Sequence, residues 1–210
     1  MRSRMAASAS RVAVECLVNG FGAVVTTDLT ITAILQDVEL QAHLREAWHA
    51  HGGLLVLRGL TLTAAQLAEL SSVFGTLQTE LDDSKKQYQV DGVPSVMRLG
   101  NVCDESGKLI AIKTMDPMLP PSGSAQYRPA DRLPVWHTDS TYRKQPPVGS
   151  LLHCVRAPAE GAATCFADAV AAFAALSEEQ QRRLEELEAI CSLAHHDAKV
   201  RVNEDAHVHI

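Results

Sequence analysis

The stretch Trp136-His137-Thr138-Asp139-Ser140-Thr141-Tyr142, followed by Pro146-Pro147, decides how the rest of this chain is read. Residues 136–139 are expected to be extended, and side chains at i and i+2 of a strand leave the same face. His137 and Asp139 would then reach adjacent positions on one metal ion. An imidazole nitrogen and an anionic oxygen are two of the three donors in the 2-His-1-carboxylate facial triad of non-haem iron sites. Alone, His-x-Asp is a weak signal, because nine His and 25 acidic residues make chance pairs easy.

Composition narrows the field. A chain of 210 residues, 46% apolar and 21% charged, can bury a core and has the make-up of a globular domain. Net charge is −6 with no Lys/Arg run, which argues against nucleic acid as a partner. No apolar stretch approaches the roughly eighteen residues of a membrane span. The five cysteines are odd in number, scattered and without C-x-x-C, so reduced thiols in a cytoplasmic setting are expected, some of them buried as small hydrophobes. Residues 1–14 hold Arg2, Arg4 and Arg11 and no acid. This composition suits a frayed leader or, alternatively, an organelle-targeting segment.

Outward from the opening motif, periodicity and capping signals place the elements. Gly22 to Thr26 is expected as a strand. Leu40, Leu44 and Trp48 give one apolar stripe on a helix from Asp37 to Ala50, stopped by Gly52-Gly53. Leu54 to Leu57 reads as a buried strand. Thr63 and Gln66 form a capping-box pattern before Leu67, Leu70, Val73 and Phe74. A strand over 96–99, a turn over 104–107 and a returning strand over 109–112 follow. The Pro-rich run from Pro117 to Pro129 is expected to cover the site or, alternatively, to be a disordered insertion. Strands are expected over 150–155 and 164–166, and a second capping box, Ser177 and Gln180, opens a helix bearing Leu184, Leu187 and Ile190. This order suggests an α+β domain on an antiparallel core.

Several ordered segments together carry a resemblance. Besides Trp136 to Tyr142 with Pro146-Pro147, they are Leu55-Val56-Leu57-Arg58-Gly59, Phe74-Gly75-Thr76-Leu77, and Leu99-Gly100-Asn101-Val102 with Gly107-Lys108. From about Gly20 onward the chain resembles the TauD/TfdA family of Fe(II)- and 2-oxoglutarate-dependent dioxygenases. The resemblance implies a double-stranded β-helix, a jelly roll of the clavaminate synthase-like type, with flanking helices over 15–210. It implies Fe(II) as cofactor, 2-oxoglutarate as cosubstrate, and O2 with a small, anionic organic substrate as partners. Hydroxylation would release succinate and CO2.

Residue by residue, the resemblance makes His137 and Asp139 iron ligands. Thr164, 27 residues after His137 (164 − 137), would donate a hydroxyl to 2-oxoglutarate. Asn101 and Tyr142 are candidates for substrate contact, with structural roles equally open.

The chain departs from the family pattern in two places. Gly161-Ala162-Ala163-Thr164 stands where the family usually has Gly-Gly-Asp-Thr. The family's distal iron-binding His, its 2-oxoglutarate-binding Arg and its last strands would fall beyond residue 210. Substitution by His195, His196, His207 or His209 is disfavoured, since a ligand needs a rigid supporting shell.

His153 is expected as a satisfied core or interface residue. Trp48, Trp136 and Thr138 are expected in packing, and His43, His49 and His51, in the first helix and at its end, as solvated side chains or C-terminal dipole partners and not ligands. The competing readings are a truncated or degenerate non-catalytic paralogue and, more weakly, a zinc-binding structural protein. A homo-oligomer is compatible with this reading.

Overall fold

The computed structural model describes residues 12–17, 20–79, 86–100, 102–108, 110–111, 136–157, 159, 164–192 and 194. These fall into two compact units, one drawn from 1–133 and 149–165, the other from 134–148 and 166–210. The first contains every buried hydrophobic residue found among the described ones.

In the first unit, strands β1 (Val12–Cys16), β2 (Ala23–Thr27) and β3 (Leu55–Arg58) form a sheet in the order β1-β2-β3. β1 and β2 are antiparallel, and β2 and β3 parallel. A parallel pair needs a long crossover. Here the crossover holds two helices, α1 (Ile31–Gln36) and α2 (Val38–Ala50). The sheet is therefore mixed, not the purely antiparallel core expected.

The sequence explains these elements locally. Ala23 and Val25 alternate with more exposed neighbours, as a strand with one buried face requires. Asp37 caps α2, its Oδ1 accepting from the backbone N–H groups of Glu39 and Leu40 at 3.1 and 3.0 Å. Leu40, Leu44 and Ala47 then fall on the buried face. Gly22 enters β2 at φ +81°, where a Cβ would lie 2.9 Å from Leu54 Cδ2. Only glycine fits both that backbone and that space. Helix α3 (Ala64–Ser72) opens with a complete capping box between Thr63 and Gln66.

Val12, Val25, Ile31, Ile34, Leu40, Leu44 and Leu70 make one core, on which Val73, Phe74 and Leu151 also pack. Trp48 meets Phe74 edge-on at 5.7 Å between ring centroids and donates its indole N–H to Gly53 O. It is the helix anchor that the sequence suggested.

A short hairpin of β4 (Gln89–Val90) and β5 (Val93–Met97) completes the strands among the described residues. β5 begins three residues earlier than the strand expected at Val96 and ends two residues earlier, at Met97. The turn after it is present: Asp104 Oδ1 accepts from Ser106 Oγ, Ser106 N and Lys108 N at 2.6, 2.9 and 3.0 Å. Ile110 N then donates to Val102 O.

The second unit carries α4 (Ala169–Ala174), capped by Asp168, and α5 (Glu178–Glu185), opened by the Ser177–Gln180 capping box. Gln181 Nε2 joins them, donating to Phe173 O, Ala174 O and Leu176 O.

Several expectations need correction. Ser150 to Val155 and Thr164 to Phe166 are irregular, not strands. An apolar run becomes a strand only when another strand supplies its ladder, and none of the described strands pairs with either segment. α5 stops at Glu185, so Leu187 and Ile190 lie past its end, and both are exposed, as is Leu184. The five cysteines are all exposed; none is a buried hydrophobe.

Strand β1 includes residues 12–14, which the sequence reading gave to the leader. The start of that segment and the Pro-rich run 117–129 lie outside the described residues. The α+β character holds, and among the described residues the sheets have three and two strands and do not close.

Candidate metal-ligand site

His137 and Asp139 belong to the second unit, and the structure brings their side chains together: His137 Nε2 is 3.2 Å from Asp139 Oδ1. The backbone that does this is not a strand. Residues 136–138 are irregular and 139–142 form a turn, closed by the Arg143 N–H donating to Ser140 O at 3.0 Å. Ser140 sits at φ +59°, in the left-handed region that side chains other than Gly, Asn and Asp seldom adopt. The i, i+2 spacing thus delivers the two donors to one place from a turn, where an extended segment was expected.

The separation has chemical meaning. Two donors bound to one first-row divalent ion at about 2.1 Å and at a right angle stand about 3.0 Å apart. The observed 3.2 Å fits that arrangement. Without an ion, a proton on Nε2 makes the same contact a hydrogen bond donated to the carboxylate. The side chains are 67% and 75% exposed. Ion pairs so open to water contribute little to stability. One imidazole and one carboxylate are donors that first-row divalent ions, Fe(II) among them, accept.

The rest of the turn adds a platform. Tyr142 and Arg143 are half-buried, and the guanidinium carbon of Arg143 lies 5.9 Å from the centre of the Tyr142 ring. That is within cation–π range.

The other candidates stand elsewhere. Thr164 is exposed and irregular, in the first unit. Asn101 lies outside the described residues, as do His195, His196, His207 and His209. His153 is half-buried in an irregular segment, not on the strand expected for it. Trp136 is 55% exposed and Thr138 is exposed, so neither packs as predicted. No group of three His, Cys, Asp or Glu side chains able to hold a metal is found among the described residues.

Two features escaped the sequence reading. The positive φ of Ser140 has no signal in its residue type. The contact of Cys16 with His51 joins positions 35 apart, and no local pattern reports it.

The family model described as taurine catabolism dioxygenase TauD, TfdA family matches residues 13–209. No curated protein matches the chain.

Proposed function

The chain belongs to the TauD/TfdA dioxygenase family, and from that premise we propose that it hydroxylates a small, anionic organic substrate using Fe(II), 2-oxoglutarate and O2. The observation that carries this reading is the 3.2 Å approach of His137 Nε2 to Asp139 Oδ1.

His137 presents a neutral imidazole nitrogen, and Asp139 an anionic oxygen that offsets part of the ion's charge. Thr164 offers its hydroxyl to a carboxylate oxygen of 2-oxoglutarate. Asn101 and Tyr142 contact the substrate. When bound, Fe(II) with 2-oxoglutarate supplies the oxidising chemistry, which consumes O2, releases succinate and CO2 and adds one hydroxyl to the substrate. The protein's own task is to orient substrate and cosubstrate and to shield them from water.

Neither the net charge of −6 nor any described feature favours nucleic acid. Among the described residues no helix is long and apolar enough to cross a membrane.

The test is anaerobic titration with Fe(II) and 2-oxoglutarate, followed by visible absorption and by succinate release on admitting O2. A charge-transfer band and succinate are expected from a form of the protein that also supplies a third iron ligand and an Arg for the far carboxylate of 2-oxoglutarate. Asp139→Ala is expected to weaken Fe(II) binding by at least about tenfold and to abolish the band. Unchanged Fe(II) affinity in Asp139→Ala would remove that residue from the ligand set. Failure of the unmodified chain to bind Fe(II) would favour the non-catalytic reading.

A further inference from the structure

Among the described residues outside the His137–Asp139 turn, tertiary structure brings together a second pair of reactive side chains. Cys16 Sγ lies 3.5 Å from His51 Nδ1. Both backbones are held. Cys16 is the last residue of β1 and is paired with Ala23 in the β1–β2 ladder. His51 caps α2, donating its N–H to Ala47 O at 3.1 Å, and its carbonyl accepts from Gly22 N at 2.9 Å. The hairpin end and the helix end are therefore stitched together, and the thiol and imidazole meet across that seam.

The Cys16 thiol is exposed, and so are those of Cys103, Cys154, Cys165 and Cys191. Accessibility does not separate the five. What separates them is the imidazole: among the described residues, only Cys16 has a side-chain base within hydrogen-bond reach. Cysteine reactivity is governed by loss of the thiol proton, and an adjacent imidazole is the usual acceptor.

We propose that Cys16 is a thiol–disulfide exchange site, with His51 as its base, and that low-molecular-weight disulfides modify it before any other cysteine of the chain. In the tautomer protonated on Nε2, Nδ1 accepts the S–H of Cys16. As Sγ attacks one sulfur of the small disulfide, the proton passes to Nδ1 and the new S–S bond forms while the old one breaks. The departing sulfur leaves with the electron pair of the broken bond and takes up a proton. One protein thiol and one disulfide thus give one mixed disulfide and one small thiol. The small disulfide is the only oxidant. Excess small thiol runs the exchange backwards and restores Cys16.

The experiment treats the whole chain with a sub-stoichiometric aromatic chromogenic disulfide (dithiobis-nitrobenzoate), follows release of the coloured thiol, and locates the label by peptide mapping. Cys16 is expected to react roughly tenfold faster than the mean of the other four cysteines. Glutathione disulfide is expected to reproduce the order. His51→Asn and His51→Gln are expected to bring Cys16 down to the rate of the others and leave those four unchanged. Circular dichroism on both variants separates loss of the base from loss of the fold. Label spread evenly over the five cysteines of the unsubstituted chain would overturn the proposal. So would an unaltered Cys16 rate in a folded His51 variant.

Discussion

In the β1–β3 region each helix lays apolar side chains on a shared core, whereas α4 and α5 bury none. Leu44 in α2 is 2% exposed, while Leu184 in α5 is 46% exposed. Both regions nevertheless contain capped helices, and a complete capping box opens α3 and α5 alike. Capping and packing are thus separable here. A cap satisfies the first orphan N–H groups from within the segment, and it forms whether or not the helix has anything to rest on. Packing supplies most of a short helix's stability, and among the described residues only helices of the first region bury apolar side chains.

Substitutions can sharpen or break that contrast. The largest expected effect is Leu44→Ala, which should destabilise the fold by about 2–5 kcal/mol through lost burial and the cavity left behind. Leu184→Ala should change stability by no more than about 0.5 kcal/mol. Urea midpoints of the two variants compare them directly, and equal shifts would show that α5 rests on a core after all.

A middle-sized effect is expected at the two capping boxes. Thr63→Ala should cost about 1 kcal/mol in global stability. Ser177→Ala removes the same hydrogen bonds but should only fray α5, lowering helical circular dichroism with the denaturation midpoint in place. A matching midpoint shift in both variants would mean that the two helices unfold as one unit.

The smallest effect concerns the turn at Asp104. Hydrogen bonding from the Ser106 hydroxyl, then from the Lys108 N–H, holds the Asp104 carboxyl below the usual aspartate range. A depressed native value means that the carboxylate supports the turn above the ordinary aspartate range, and that this support fades as pH falls through the lowered native value. The amide resonances of Ser106 and Lys108 should report the titration at that lowered value, with no cooperative unfolding attached. Titration at the ordinary aspartate value would show that the hydrogen bonds are not kept in solution.

The same contrast explains what could be read from residues alone. The helix from Asp37 to Ala50 was legible because Leu40, Leu44 and Trp48 recur at helical spacing ahead of Gly52-Gly53, and the structure buries Leu40 and Leu44. The α3 capping box was legible because Thr63 and Gln66 satisfy each other locally. The strands expected at 150–155 and 164–166 are not found, because an apolar run says nothing about which partner completes its ladder. Strand β1 went unrecognised as a whole, because Val12 to Val14 follow an Arg- and Ser-rich segment whose composition outweighed three apolar residues. At the candidate site, the identity and spacing of His137 and Asp139 were visible, and their 3.2 Å approach is found. The turn that produces it was not, since Ser140 gives no warning of its positive φ.

By itself, the sequence determined the helix caps, the glycine stops and the presence of an imidazole and a carboxylate two residues apart. All of these depend on groups within a few bonds of one another along the chain. Tertiary structure alone decided that β2 and β3 run parallel, which apolar faces are covered, and that Cys16 meets His51. Those outcomes depend on contacts between segments distant in the chain, whose energies come from shared burial and ladder hydrogen bonds that no single segment encodes.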